Sequence, residues 1–270
     1  MMRFRSLSMI LVAISSLVLS SGLLRGDDHR ASGPTSTATR TPVLIELFTS
    51  EGCSSCPPAD VLLGQLDRFQ PVPTADVIVL SEHVDYWDDI GWKDPYSSRQ
   101  FSLRQGDYAH RFRLDDSYTP QMVVDGDTQL VGSDERGVIR AIANAAKINK
   151  IPVILSAPHL QGTKSLVVHV EVQPTVALAG GKSGQLLLAL ADGSDQSNVR
   201  RGENAGRTLK HVAVVRTLNQ VGTVEGNNVF SKDVTVSTEN ANLQNLKIVV
   251  IVQEGTAGRV LGVGSTRFSN

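Results

Sequence analysis

Residues 43–69, VLIELFTSEGCSSCPPADVLLGQLDRF, decide how the first half of the chain is read. VLIELFT is a short apolar run suited to a buried strand. Beyond the turn, Ala59, Leu62, Leu63, Leu66 and Phe69 fall on one helical stripe. Between the two stand Cys53 and Cys56, the only cysteines among 270 residues. If Cys53 begins the helix, free backbone N–H groups and the positive end of the helix dipole favour its thiolate and make it the nucleophile. Cys56, one turn on, is then placed to attack a mixed disulfide at Cys53 and release the product. Pro57 and Pro58 cost little in a first turn, where their missing N–H groups have no intrahelical partner. The spacing also admits a structural disulfide, or half of a copper or zinc site completed by His83 and a second histidine. A cross-link this short adds little chain-entropy stabilisation, so the redox reading is favoured.

Working outward, DVIVLSEHV (76–84) is a second buried strand, and SSRQFSLRQGDYAHRF (97–112) is a helix with Ser97 or Ser98 as its cap. YTPQMVVDGDTQLVGS (118–133) is a hairpin turning at Asp125-Gly126. SDERGVIRAIANAAKI (133–148) is a helix with Ser133 as its cap and Val138, Ile142 and Ala145 on its inner face. After Lys150 the character changes to strand-like runs separated by turn residues, the pattern of a sandwich-like all-β module over 151–270.

Arg3 and Arg5 precede an apolar run from Met9 to about Leu19, which marks residues 1–25 as a signal peptide and 26–41 as a polar tether. The expected location is the periplasm or outside the cell, where a cysteine pair persists as a disulfide or is cycled by partners. A net charge of −1 without a long basic run argues against nucleic acid as a partner, and no span is expected after signal cleavage. No phosphate loop, dinucleotide fingerprint or Ser-His-Asp context is present, and no cofactor is expected.

ELFTSEGCSSC followed by an amphipathic helix resembles the active-site segment of thioredoxin-like proteins, and YTPQMVVDGDTQLVG resembles their later loop. LFTSEGCSSCPPAD, HVDYWDDIGWKDP, YTPQMVVDG and RGENAGRTLKH together resemble the secreted bacterial proteins grouped as domain of unknown function 1223. The resemblance implies an α/β thioredoxin-like fold over 42–150 with a helical insertion at 86–114, followed by the all-β module. It implies that Pro120 is a cis-proline facing the cysteines and that the backbone of Thr119 pairs with an extended substrate. That family carries no settled activity; the cysteine pair and the thioredoxin-like resemblance point to thiol-disulfide exchange with protein or small-molecule thiols and disulfides. A non-catalytic secreted binding protein and a metal-handling protein are the alternatives.

Two positions depart from the thioredoxin pattern. The strand position of the usual buried acid is Leu47, and the usual aromatic before the first cysteine is Gly52. His83, Glu46 and Asp60 are the candidates for proton transfer, with Glu46 expected on the opposite face of its strand from Leu47. Trp87 and Trp92 are read as local core ahead of a substrate rim. NVRRGENAGRTLKH (198–211) is read as a solvated loop ahead of an anion site or a docking surface.

Overall fold

The computed structural model describes residues 40–173, 183–226, 228–239, 241 and 243–268, so the expected signal peptide and all but the last two tether residues lie outside the described residues. The apolar run opens as β1 (Thr41–Thr49), whose residues from Val43 onward are buried. The helix α1 (Pro57–Phe69) buries Ala59, Asp60, Leu62, Leu63 and Leu66. Phe69, expected on that stripe, is 64% exposed and lies under the Arg68 guanidinium at the C-terminal end of the helix. β2 (Ala75–His83) runs parallel to β1. α2 (Arg99–Phe112) is capped by Ser98, whose side chain accepts from the Gln100 N–H.

β3 (Gln121–Val124) pairs antiparallel with β1 and with β4 (Thr128–Val131). Asp125 and Gly126 turn between them with φ of 51° and 62°. A Cβ on Gly126 would stand 2.1 Å from the Gly258 carbonyl oxygen, so only glycine fits there. α3 (Glu135–Ala145) is capped by Asp134 accepting from the Gly137 N–H, not by Ser133. The carboxylate is the stronger acceptor and also meets the positive helix end.

Composition changes after Lys150, yet the sheet runs on across that point. β5 (Val153–Leu155), β6 (His159–Leu160), β7 (Ser165–Val172) and β10 (Phe230–Ser237) form a small second sheet. β8 (Ser183–Asn198), β9 (Thr208–Glu225), β11 (Leu246–Gln253) and β12 (Val260–Phe268) extend the first, giving the order β12-β11-β8-β9-β2-β1-β3-β4. The architecture is thus a mixed eight-stranded sheet with three α-helices among the described residues and a large β region behind. Among the described residues no helix is long and apolar enough to cross a membrane.

The large sheet bends back on itself, bringing β12 against β1 and β5. Its inner face joins Leu44 and Leu80 to Leu187, Ala189, Val249 and Ile251, with Phe101 of α2 packed in. Alternate residues of β8 and β11, such as Leu186, Leu188, Ile248 and Val250, face the second sheet instead. Burial on both faces explains why these strands read as unbroken apolar runs. On the remaining side, α1 and α3 cover Val43, Ile45 and Leu47.

A polar cluster interrupts the apolar interior. Glu46 receives a 2.7 Å hydrogen bond from Arg104 Nε and a 2.6 Å bond from the Tyr108 hydroxyl. Glu82 lies 3.7 Å from Arg104 and is fully buried. Burial first, then the Glu46 carboxylate, hold the Glu82 carboxyl well above its usual range against the pull of Arg104. Glu82 therefore keeps a proton in the folded state that it loses on unfolding above about pH 4.5, and its contribution to stability falls as pH rises from there.

Two outcomes follow, both read by urea unfolding. Glu82→Gln should flatten the loss of stability between pH 5 and pH 8. Arg104→Met should cost about 3–5 kcal/mol, because it strands buried carboxyl groups without their cation.

Candidate functional site

The cysteines form a disulfide, with Cα atoms 5.5 Å apart, on the turn between β1 and α1. Cys53 does not begin the helix. Cys56 is the residue before it, in right-handed helical conformation, with Pro57 and Pro58 in the first two helical positions. The Cys56 carbonyl accepts from the N–H groups of Ala59 and Asp60, while the Cys56 N–H bonds back to the Cys53 carbonyl at 3.2 Å. Both cysteines are fully buried, and Ser54 and Ser55 between them are exposed.

The Thr119–Pro120 peptide bond is cis. A Cβ built on Gly132 would lie 3.0 Å from Ala59 Cβ and 3.1 Å from Pro120 Cβ, which places the proline beside the first turn of α1. Trp87 joins the two loops: its Nε1 donates to the Thr119 hydroxyl at 2.8 Å, and its Cβ would be 3.1 Å from a Cβ on Gly52. The space beside residue 52 is thereby filled by a tryptophan from elsewhere in the chain. Trp92 Nε1 donates to Glu51 at 2.8 Å. Both tryptophans are half-buried and reach beyond their own segment to border the cysteine turn, rather than forming a local core.

The segment 198–211, expected to be a solvated loop, is docked on the cysteine turn. β8 and β9 pair as a long hairpin as far as Asn198↔Thr208. Its tip carries Asn204, whose side-chain amide donates to the carbonyls of Glu51 and Cys53 at 2.9 Å each. The neighbouring Glu203 carboxylate accepts from the Ser54 N–H at 3.0 Å. Arg207 Nη1 donates to Asn204 Oδ1 at 3.0 Å and fixes the amide's orientation. The arginines of this segment suggest solvent, but Glu203 and the uncharged Asn204 make the contact.

Behind the turn lies a buried network. Glu51, two residues before Cys53, accepts from Ser197 Oγ and lies 3.2 Å from His211 Nε2. His211 Nδ1 lies 3.7 Å from Asp60 Oδ1. Burial opposes the charged imidazolium, but the carboxylates of Asp60 and Glu51 outweigh it and raise His211 to about 10. His83 pairs through Nδ1 with Asp94 at 2.7 Å, and its ring meets that of His211 edge to face at 4.7 Å. Asp94 also accepts from the Glu51 N–H at 2.8 Å. Burial penalises the Asp94 carboxylate, but His83 and these hydrogen bonds hold it below its usual range.

Of the three proton-transfer candidates, His83 and Asp60 therefore enter the network behind the cysteines. Glu46 does not, because it points across the sheet to Arg104. His211 lies in no motif that marks a site, although alternation through Leu209, His211 and Ala213, all buried, marks it as inward-facing. Among the described residues no group of three or more His, Cys, Asp or Glu side chains is arranged to hold a metal ion.

A Cys-X-X-Cys disulfide on a strand-to-helix turn of a mixed sheet, with a cis-proline near the first turn of the helix that follows, defines a class of disulfide-bearing α/β protein. The chain belongs to the family described as protein of unknown function (DUF1223), whose model matches residues 44–253. A crystal structure of a protein from Agrobacterium tumefaciens is similar at 24% identity and a TM-score of 0.65, covering 86% of this chain and 96% of that one. HBP35 of Porphyromonas gingivalis is similar at 12% identity and a TM-score of 0.55, over 85% of this chain and 76% of the other. Both likenesses concern the fold alone. No curated protein matches the chain.

The geometry sets two expectations. Asn204→Ala removes both hydrogen bonds of the cap and should speed reduction of the disulfide by a water-soluble phosphine about 10-fold, as read by thiol alkylation over time. The stability that His211 contributes is fully present below about pH 6.5 and is lost as pH rises towards about 10. Unfolding at a series of pH values should show this decline, and His211→Gln should flatten it.

Proposed function

We propose that the protein is an exported thiol-disulfide oxidoreductase working through Cys53 and Cys56 on a thioredoxin-like core. The observation that carries this reading is the Cys-X-X-Cys disulfide at the start of α1, a helix whose first turn lies near the cis-proline Pro120. The core would be β1-α1-β2 followed by β3-β4-α3, with the segment around α2 inserted. A parallel β1/β2 pair and an antiparallel β3/β4 pair flanking it support that reading.

In the reductive direction, the Cys53 thiolate attacks a substrate disulfide, forms a mixed disulfide and expels one substrate thiolate, which takes a proton. Cys56, as thiolate, then attacks the Cys53 sulfur, restores the internal disulfide and releases the second substrate thiol. Two electrons pass from the dithiol to the substrate, and the reverse sequence oxidises a substrate dithiol. Substrates are protein or small-molecule thiols and disulfides, and an extended segment would lie along the backbone of Thr119. Because both cysteines are buried, exchange requires the Asn204 tip to lift from the turn.

That same burial favours a second reading, a structural disulfide in a non-catalytic secreted binding protein. Trapping separates the two. Cys56→Ser should accumulate a Cys53-linked adduct with disulfide-containing partners, and Cys53→Ser should not. A reduction potential of roughly −120 to −270 mV accords with exchange, and one below about −300 mV with no adduct overturns it.

A further inference from the structure

Two buried atoms behind the cysteine turn face one another without a hydrogen bond. Asp60 Oδ1 and His211 Nδ1 each have no hydrogen-bond partner among the described residues, and they stand 3.7 Å apart, beyond hydrogen-bond reach. Asp60 is 7% exposed and His211 2% exposed. Buried polar groups are nearly always satisfied, so a facing pair of orphans asks for a donor or acceptor that another state of the molecule supplies.

Helix geometry identifies the source. Cys56 has φ −76° and ψ −38°, and its carbonyl accepts from the Asp60 N–H at 3.2 Å, so the two residues are i and i+4 on continuous helical backbone. Side chains at that spacing lie on one face, with Cβ atoms about 5–6 Å apart, and the later one leans back towards the earlier. As half of a disulfide, Cys56 has no proton to donate. Reduction gives its sulfur an S–H on the helix face that Asp60 shares.

We propose that Asp60 is the group that takes the proton from the Cys56 thiol, and that His211, reaching in from β9, is the positioning residue that holds the Asp60 carboxylate for it. The inference rests on the thiol-disulfide reading above and deepens it. In the resolving step the Cys56 S–H gives its proton to Asp60, and the sulfur attacks the mixed disulfide at Cys53. The S–S bond to the substrate breaks as the internal one forms, and the substrate leaves as a thiolate.

The remaining groups around His211 fit this assignment. From the turn before α1, Glu51 anchors its Nε2, leaving Nδ1 directed to Asp60. From β2, His83 turns Nδ1 to Asp94 and only its ring edge to His211. From the segment before α2, the Tyr96 ring packs 5.7 Å away. From β8, Asp195 stands opposite His211 in the strand register. A proton arriving at the pair also has an exit: Asp60 lines a depression of about 270 Å³ beside α1, and His211 lines one of about 520 Å³ over β8 and β9.

The test follows the resolving step itself. Reduced protein is mixed with oxidised glutathione, quenched in acid at intervals and weighed by mass spectrometry between pH 5 and pH 9. Glutathione on Cys53 and the re-formed internal disulfide are then counted separately. Asp60→Asn should accumulate the glutathione adduct and slow resolution about 100-fold near pH 6, the loss shrinking as pH approaches the ordinary thiol range of about 8.5. His211→Gln should bend the profile in the same sense by a smaller factor, and it supplies the readout if Asp60→Asn does not fold by circular dichroism. Resolution at the wild-type rate throughout overturns the proposal. So does slowing by one factor at every pH, which is the mark of a merely structural role. Cys56→Ser distinguishes the two levels: if it takes up no glutathione on Cys53, the thiol-disulfide reading itself falls. If it does and Asp60→Asn is unaffected, only the role of Asp60 falls.

Discussion

The backbone of the cysteine turn is satisfied only in part from within, where Ser50 and Cys53 accept from Cys53 and Cys56, and the rest has to be met from outside. Strand β1 has ended at Thr49 and α1 has not begun until Pro57, so neither a ladder nor a helix serves the groups between. Buried and unpaired, each would cost about 1–3 kcal/mol. Asp94 answers the Glu51 N–H, and Asn204 answers the carbonyls of Glu51 and Cys53. The second of these partners lies at the tip of a hairpin built from strands of 16 and 18 residues. Only an arm of that length, rooted in the main sheet, spans from the β region to the turn.

Rooting the arm shapes the rest of the molecule. β9 meets β2 at a single register position, Ser81↔Val214, and just beyond it Ala213 takes a φ of 49°. There the arm leaves the plane of the sheet and passes over α1. At its base, β8 and β9 are flanked by β11 and β12, which close the bend of the sheet around a shared apolar interior. The second sheet covers the other face of β8 and β11. The region beyond Lys150 therefore both supports the arm and supplies, through Asn204 and His211, side chains against the disulfide's turn and behind it.

Local patterns made much of this legible. The apolar runs of β1 and β2, the stripe of α1 and the Asp125-Gly126 turn are all properties of short windows, and each is present where its window lies. The family was legible too, from four separate motifs. β12 was not, because Gly262 and Gly264 thin its apolar pattern. They are there so that the carbonyls of Ile151 and Val153 can approach within 2.4 and 2.5 Å of where a Cβ would sit. The docking of the Asn204 tip was hidden for a different reason. Five basic residues in that segment suggest solvent, and nothing local reveals that one uncharged amide among them meets a turn far away in the chain. Half of the site came through in the same way. Asp60 and His83 were visible as polar residues near the cysteines, whereas His211 has its partners on other elements.

Asn204 stands 151 residues after Cys53. A chain made from its N-terminus presents the cysteine pair, and the helix that orients it, well before the residues that seal it exist. Thiols that are enclosed in the finished protein are open to solvent in the nascent one. The pair thus has two chemical lives: it is exposed to whatever oxidant or partner meets the emerging chain, and afterwards it is enclosed. The redox state it carries into the folded protein is first set before the arm closes, and from then on it changes only as the arm opens.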